Sequence, residues 1–259
     1  MFHVKQFEKL AEFAKNNQIT LGDEEMNQFQ TLCSLLIEKN KVLNLTAITD
    51  PEEIEIKHFV DSLSAAPLLN ELWSRMLFER PGYMRYEDAG FSLVDVGTGA
   101  GFPGLPLKIV FPKANFLLLD SLAKRISFVN EAINAMGLEG IEALAGRVEE
   151  IAKPGNVSRE TFDFCVTRAV ANTAVLAEYC LPLVRVGGYC ILYKSGEYKE
   201  EVAEAEKAIE ILGGKIVDIE ESVLFGTDAA RSLVIIRKIK AAPDKYPRRP
   251  GKPSKSPIK

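Results

Sequence analysis

Through residues 1–72 apolar positions recur at helical spacing, and after residue 91 they change to short runs. Phe2, Phe7, Leu10, Ala11, Phe13 and Ala14 predict a helix within residues 1–18. Gly22-Asp23 interrupts it. Asp23 is expected as the N-cap of a second helix with Met26, Phe29, Leu32, Cys33, Leu36 and Ile37 on one face, closing between Asn40 and Asn44. Asp50-Pro51-Glu52-Glu53 opens further helix to about residue 72, with proline and acids placed for a first turn. The mixed stretch 73–91, with a turn at Arg80-Pro81-Gly82, reads as a connector or inserted loop.

From residue 92 short apolar runs alternate with amphipathic stretches. Strands are expected at 92–96, 115–119, 141–144, 162–166 and 189–193. Helices are expected at 105–111, 123–136, 148–152, 173–183 and 198–212. Two last strands, 215–224 and 231–239, join through Phe225-Gly226-Thr227-Asp228 as a hairpin. This is an α/β pattern: a doubly wound, mainly parallel sheet with one antiparallel strand near its edge, behind a helical N-terminal extension. The organisation predicted is a helical extension (1–72), a connector (73–91), a ligand-binding domain (92–240) and a tail (241–259).

Composition changes this picture little, but charge does. The 259-residue chain is 47% hydrophobic and 26% charged, ordinary for a globular protein. No window is apolar enough to span a membrane, and the N-terminus lacks the apolar run of a signal peptide, so a cytoplasmic protein is expected. Four cysteines without C-x-x-C spacing read as buried thiols, and two histidines, His3 and His58, argue against a histidine-based metal centre. Residues 237–259 carry a net +8 in a chain whose net is −4, which leaves −12 on residues 1–236. A basic, proline-rich and flexible tail on an acidic body suggests contact with a polyanion.

The candidate chemistry lies at strand ends. Asp95-Val96-Gly97-Thr98-Gly99-Ala100-Gly101-Phe102-Pro103-Gly104 follows the first strand, and Asp120 ends the second. In open α/β sheets ligands bind at such carboxyl ends. Glycines let a ligand approach backbone, and Asp120 can accept two ribose hydroxyls. Both a nicotinamide dinucleotide and S-adenosylmethionine satisfy that pair. Asp95, two residues before the first glycine, would repel a pyrophosphate but not a sulfonium or ammonium, so S-adenosylmethionine is favoured. Val148 and Glu149, after the third strand, fall where an adenine ring would lie.

With these motifs, the chain resembles the RsmG/GidB family, bacterial methyltransferases of small-subunit ribosomal RNA that act on guanine N7. The resemblance also rests on Asn44-Leu45-Thr46-Ala47, His58-Phe59-Val60-Asp61-Ser62-Leu63, Asp120-Ser121-Leu122-Ala123-Lys124-Arg125, Thr167-Arg168-Ala169-Val170-Ala171 and Lys245-Tyr246-Pro247-Arg248-Arg249-Pro250-Gly251. It implies a class I Rossmann-like methyltransferase with a seven-stranded sheet, S-adenosylmethionine as cofactor, and 16S ribosomal RNA or the small ribosomal subunit as partner. It implies cofactor contacts at Gly97, Gly99, Phe102, Asp120, Ser121, Val148, Glu149 and Arg168. The chain departs from the family at 73–91, longer than expected, and at Lys194-Ser195-Gly196.

Methylation of N7 needs alignment more than acid–base work, because N7 keeps a free lone pair. Two other base chemistries lack their residues here. There is no Pro-Pro box for amino methylation, and the cysteines follow Leu32, Phe164, Tyr179 and Tyr189, unlike a C5 nucleophile. Arg168 and His58 are the positioning candidates. Arg168 can donate to guanine O6 or to phosphate, or contact the cofactor carboxylate. His58 can line the cofactor's methionine end or be structural. Lys124, Arg125, Lys245, Arg248, Arg249 and Lys252 are candidate RNA contacts. A monomer without metal or membrane association is expected. The competing readings are a same-fold enzyme on another substrate and a non-catalytic nucleotide-binding protein.

Overall fold

The computed structural model describes residues 7–79, 90–168 and 171–259. Helices come first: α1 (Glu8–Asn16), α2 (Asp23–Leu43), α3 (Pro51–Ile54), a π-helical turn Glu55–Val60, α4 (Asp61–Leu63) and α5 (Ala66–Phe78). They are followed by β1 (Ser92–Val96), α6 (Gly104–Val110), β2 (Asn115–Asp120), α7 (Ala123–Met136), β3 (Ile141–Ala145) and α8 (Val148–Ile151). The chain continues with β4 (Phe162–Thr167), α9 (Thr173–Cys180), β5 (Val184–Ser195), α10 (Lys199–Ile211), β6 (Gly214–Val223), β7 (Ala230–Lys238) and α11 (Lys252–Lys255).

The strands form one sheet in the order β3-β2-β1-β4-β5-β7-β6. β7 alone runs opposite to the other six strands. Strand order reverses at β1 and β4, so the crevice for a ligand opens at their carboxyl ends. The sheet's period of two sends Leu93, Phe164 and Ile191 to one face, and Val94, Cys165 and Cys190 to the other. Helices α1, α2, α5, α6 and α7 cover the first face, and α9 and α10 the second. The N-terminal helices therefore share one core with the sheet. Among the described residues no helix is long and apolar enough to cross a membrane.

Three expectations change. Gly22, not Asp23, caps α2: its extended backbone precedes the helix, and Glu25 Oε2 accepts the Gly22 N–H at 2.8 Å. Helix α5 takes in residues 73–78 of the expected connector, because Leu72, Met76 and Leu77 continue its buried face and Trp73 packs against Phe91 and Phe164. Residues 80–89 of that connector, like His3, lie outside the described residues. Strand β5 starts five residues early, since Gly187-Gly188 is a bulge inside the strand rather than its boundary. A Cβ at Gly188 would stand 2.5 Å from Asp163 O.

The largest correction is the tail, which is folded and not free. Ala242, Tyr246, Pro247 and Pro253 are buried, and Tyr246 joins the core under α9 and α10. Arg159 donates to Ala242 O and Tyr246 O at 2.8 Å each. The anchors lie on α9 and between α8 and β4, far from the tail in sequence, so basic composition alone could not reveal them. All four cysteines are buried and unbridged.

Candidate functional site

Beyond β1 the chain turns over its neighbour, with Gly97 and Thr98 N–H both donating to Leu119 O at 2.8 and 2.9 Å. Gly99 has φ 60°, and a Cβ there would meet nothing within 4 Å, so the space above the loop is open. Beneath the loop it is not. A Cβ at Gly104 would lie 2.2 Å from Leu118 Cδ2.

The loop borders an open pocket of about 460 Å³, a size suited to a nucleoside-type ligand. Of the expected cofactor residues, Gly97, Asp120, Ser121, Val148, Glu149 and Arg168 line it. Gly99 contributes its backbone instead: its N–H donates to Asp120 Oδ2 at 3.0 Å. Asp120 is 5% exposed. Its Oδ1 accepts from Leu122 N–H at 2.9 Å, and Oδ2 also accepts from Arg125 Nη1 at 3.2 Å. A carboxylate accepts about four bonds, so three protein donors leave room for a hydroxyl, and departure of Arg125 makes room for a second. The donor set at Asp120 and the open space over Gly99 fit the ribose and backbone approach that S-adenosylmethionine requires.

Asp95 works differently from its expected role. It is fully buried beneath the loop, where Oδ2 accepts the Gly104 N–H at 2.9 Å. Burial pushes its carboxyl up to about 7, against the pull of the Thr98 hydroxyl and the Gly104 amide. Thr98 stands close enough to favour the ionised form, yet its hydroxyl and Asp95 Oδ1 both lack a partner of hydrogen-bonding geometry. Asp95 braces the loop from below and does not line the pocket.

Phe102, also absent from the lining, supports a second cluster. His58 stacks on it with centroids 4.4 Å apart and planes 8° apart, and the Arg168 guanidinium lies over the same ring at 5.6 Å. Lys57 O, on the π-helical turn, accepts from Arg168 Nη1 at 3.1 Å. Arg168 Nη1 also donates to Asp61 Oδ2 at 2.7 Å, while Asp61 Oδ1 accepts from Arg231 Nε at 2.8 Å. One buried carboxylate thus lies between two guanidiniums, leaving one positive charge in surplus beside the pocket. His58 Nδ1 faces Arg168 Nη2 at 3.4 Å, and Nε2 lies 2.9 Å from Thr46 Oγ1. Burial first, then the Arg168 charge, push His58 down to about 4. The ring is neutral, and a donor at Nδ1 puts its proton on Nε2, facing Thr46. This cluster holds a guanidinium in place; it does not shuttle protons.

Two expected RNA contacts are engaged elsewhere. Arg125 lies against Asp120 inside the pocket. Arg248 donates through its backbone N, Nε and Nη2 to Glu178, a fully buried carboxylate, at 2.6–3.0 Å. Lys124, Lys245, Arg249 and Lys252 are exposed; Lys124 Nζ lies 3.2 Å from Leu43 O. Sequence reasoning missed Arg147 and Tyr179, which line the pocket, and Thr46 and Arg231, which hold the cluster. Topology could have found Arg231: it opens the antiparallel strand, whose start must lie at the carboxyl edge of the parallel ones.

The family model GidB, "rRNA small subunit methyltransferase G", matches residues 25–226. A protein of Alkaliphilus metalliredigens named ribosomal RNA small subunit methyltransferase G is 46% identical over 239 residues, 92% of this chain and 93% of that one. One of the same name from Lachnoclostridium phytofermentans is 49% identical over 241 residues, 92% and 91% of the two chains. Among solved structures, a putative sarcosine dimethylglycine methyltransferase from Galdieria sulphuraria aligns with TM-score 0.51 at 11% identity, covering 73% of this chain and 88% of that one. That likeness is one of fold.

Proposed function

The chain belongs to the GidB family of small-subunit ribosomal RNA methyltransferases, and from that premise we propose that it transfers a methyl group from S-adenosylmethionine to N7 of a guanine in 16S ribosomal RNA. The observation that carries this reading is a nucleoside-sized pocket beside a surplus guanidinium, while the one described histidine has both ring nitrogens committed. Bound S-adenosylmethionine supplies an electrophilic methyl on a sulfonium. Asp120, with Gly97, Ser121, Val148 and Glu149, would hold its nucleoside.

N7 needs no deprotonation, so the protein's task is to align the base. Arg168, fixed by Asp61, Phe102 and neutral His58, would donate to O6 beside N7. Lys124, Lys245, Arg249 and Lys252 would contact phosphates without reading sequence. We read the enzyme as a monomer of the cytoplasm, where its ribosomal substrate lies. The test is transfer of labelled methyl from S-adenosylmethionine to small ribosomal subunits and to free 16S RNA, followed by mapping of the modified base. Label at a guanine N7 is expected. Label at another position, or only in another class of acceptor, would overturn the proposal.

A further inference from the structure

The basic segment 241–259 does more than cover a hydrophobic face, because two of its anchors are walls of the pocket. Gly251 N–H donates to Glu149 Oε1 at 2.9 Å, and the Ser254 hydroxyl meets the Tyr179 hydroxyl at 2.9 Å. Glu149 and Tyr179 both line the pocket. Between them, the pair of Arg248 with buried Glu178 pins the segment to α9. Helix α8 has only four residues and cannot hold itself in place. The segment reaches it directly at one end and through Arg159 at the other. Gly251 takes Glu149 near its start, while Arg159 Nη1 donates to both Ala152 O at its end and Tyr246 O in the segment, at 2.8 Å each.

We infer that residues 246–254 brace the wall of the cofactor pocket from behind: they set the spacing of α8 and Tyr179, and affinity for the nucleoside depends on them. The inference rests on the cofactor reading above and concerns which parts of the chain build its site. It adds to the expectation drawn from charge, by which this segment only contacts a polyanion. It also places exposed Lys245, Arg249 and Lys252 on the element that holds the wall, so phosphate contact there would reach the pocket mechanically.

Calorimetric titration of the full chain with S-adenosylmethionine and S-adenosylhomocysteine tests this. Truncation would strand Glu178 as a buried unpaired charge, so the lock is opened by Glu178→Gln with Arg248→Met. A rise of ~10-fold or more in both dissociation constants is expected, the loss of roughly one good hydrogen bond's worth of wall. Amide exchange at residues 147–152 should quicken, and kcat at saturating cofactor should stay within about twofold, as a loss of ground-state binding requires. Should the double variant fold poorly, Ser254→Ala removes only one surface hydroxyl contact and is expected to weaken binding by ~3-fold. Unchanged cofactor affinity in these variants overturns the inference, whether or not the KM for RNA rises. Failure of the unaltered chain to bind either ligand would instead count against the proposed function.

Discussion

Replacing His58 by Asn should flatten the acid side of the stability curve. The His58 ring titrates near 6.5 in an unfolded chain, but burial and Arg168 hold it to about 4 in the folded one. Between these values the unfolded state binds the extra proton, so stability is lost as pH falls through that window. At pH 4.5 the loss relative to neutral pH comes to about 2.5 kcal/mol, from 1.36 kcal/mol per pH step. With a urea slope of roughly 2–3 kcal/mol/M, that is a shift of about 1 M in the midpoint. Asparagine can keep an acceptor for Arg168 at the Nδ1 position, loses the contact with Thr46 made from Nε2, and cannot titrate. Its smaller contact with Phe102 costs a pH-independent offset. Urea midpoints of both proteins measured from pH 7.5 to 4.5 should therefore converge as pH falls. Carboxylates common to both cancel in the difference. Parallel curves would refute the account of His58 as a neutral ring held down by burial.

Other outcomes follow from the same geometry. Arg168→Ala should cost only about 2–3 kcal/mol in urea unfolding, since Asp61 keeps Arg231 as partner, yet lower methyl transfer at least ~100-fold; near-normal turnover would remove Arg168 from the site. Asp95 is held to about 7 by burial, so the folded state binds its proton between about 4 and 7, and stability contributed there fades as pH rises. Asp95→Asn should gain in midpoint relative to the unaltered chain over that interval, with a constant difference above it. Gly104→Ala should lower stability by about 1–3 kcal/mol, because its Cβ would overlap Leu118. Gly99→Ala should cost about 1 kcal/mol for its positive φ but weaken S-adenosylmethionine binding more than that in calorimetry, its methyl taking up the open space above the loop that a ligand would approach through.

Much of this architecture was legible in sequence because period and punctuation agreed. Strand β1 and helix α7 fall at their expected bounds: each apolar run ends at glycine, in the Gly97 loop and at Gly137 with φ 65°. The early start of β5 was not legible, since a glycine pair such as Gly187-Gly188 marks a bulge and a turn alike. Ranges of contact explain the rest. The composition of 241–259 describes a solvated chain, while its anchors, Glu149, Arg159 and Glu178, lie 70 or more positions away. The motifs holding His58, Asp61, Phe102 and Arg168 could be seen one by one. That Asp61 sits between Arg168 and Arg231 could not, because those pairs span 107 and 170 positions.

Those spans have a kinetic meaning. His58 with Asp61, Phe102, Arg168 and Arg231 come from separate stretches that only the finished sheet brings together. Closing such long loops is slow, and no local piece of the chain earns a share of the assembled cluster in advance. On refolding, helical signal should therefore return before the Asp61 pairs form. The site is then a gauge of complete assembly, silent in any partly folded form that still has its helices.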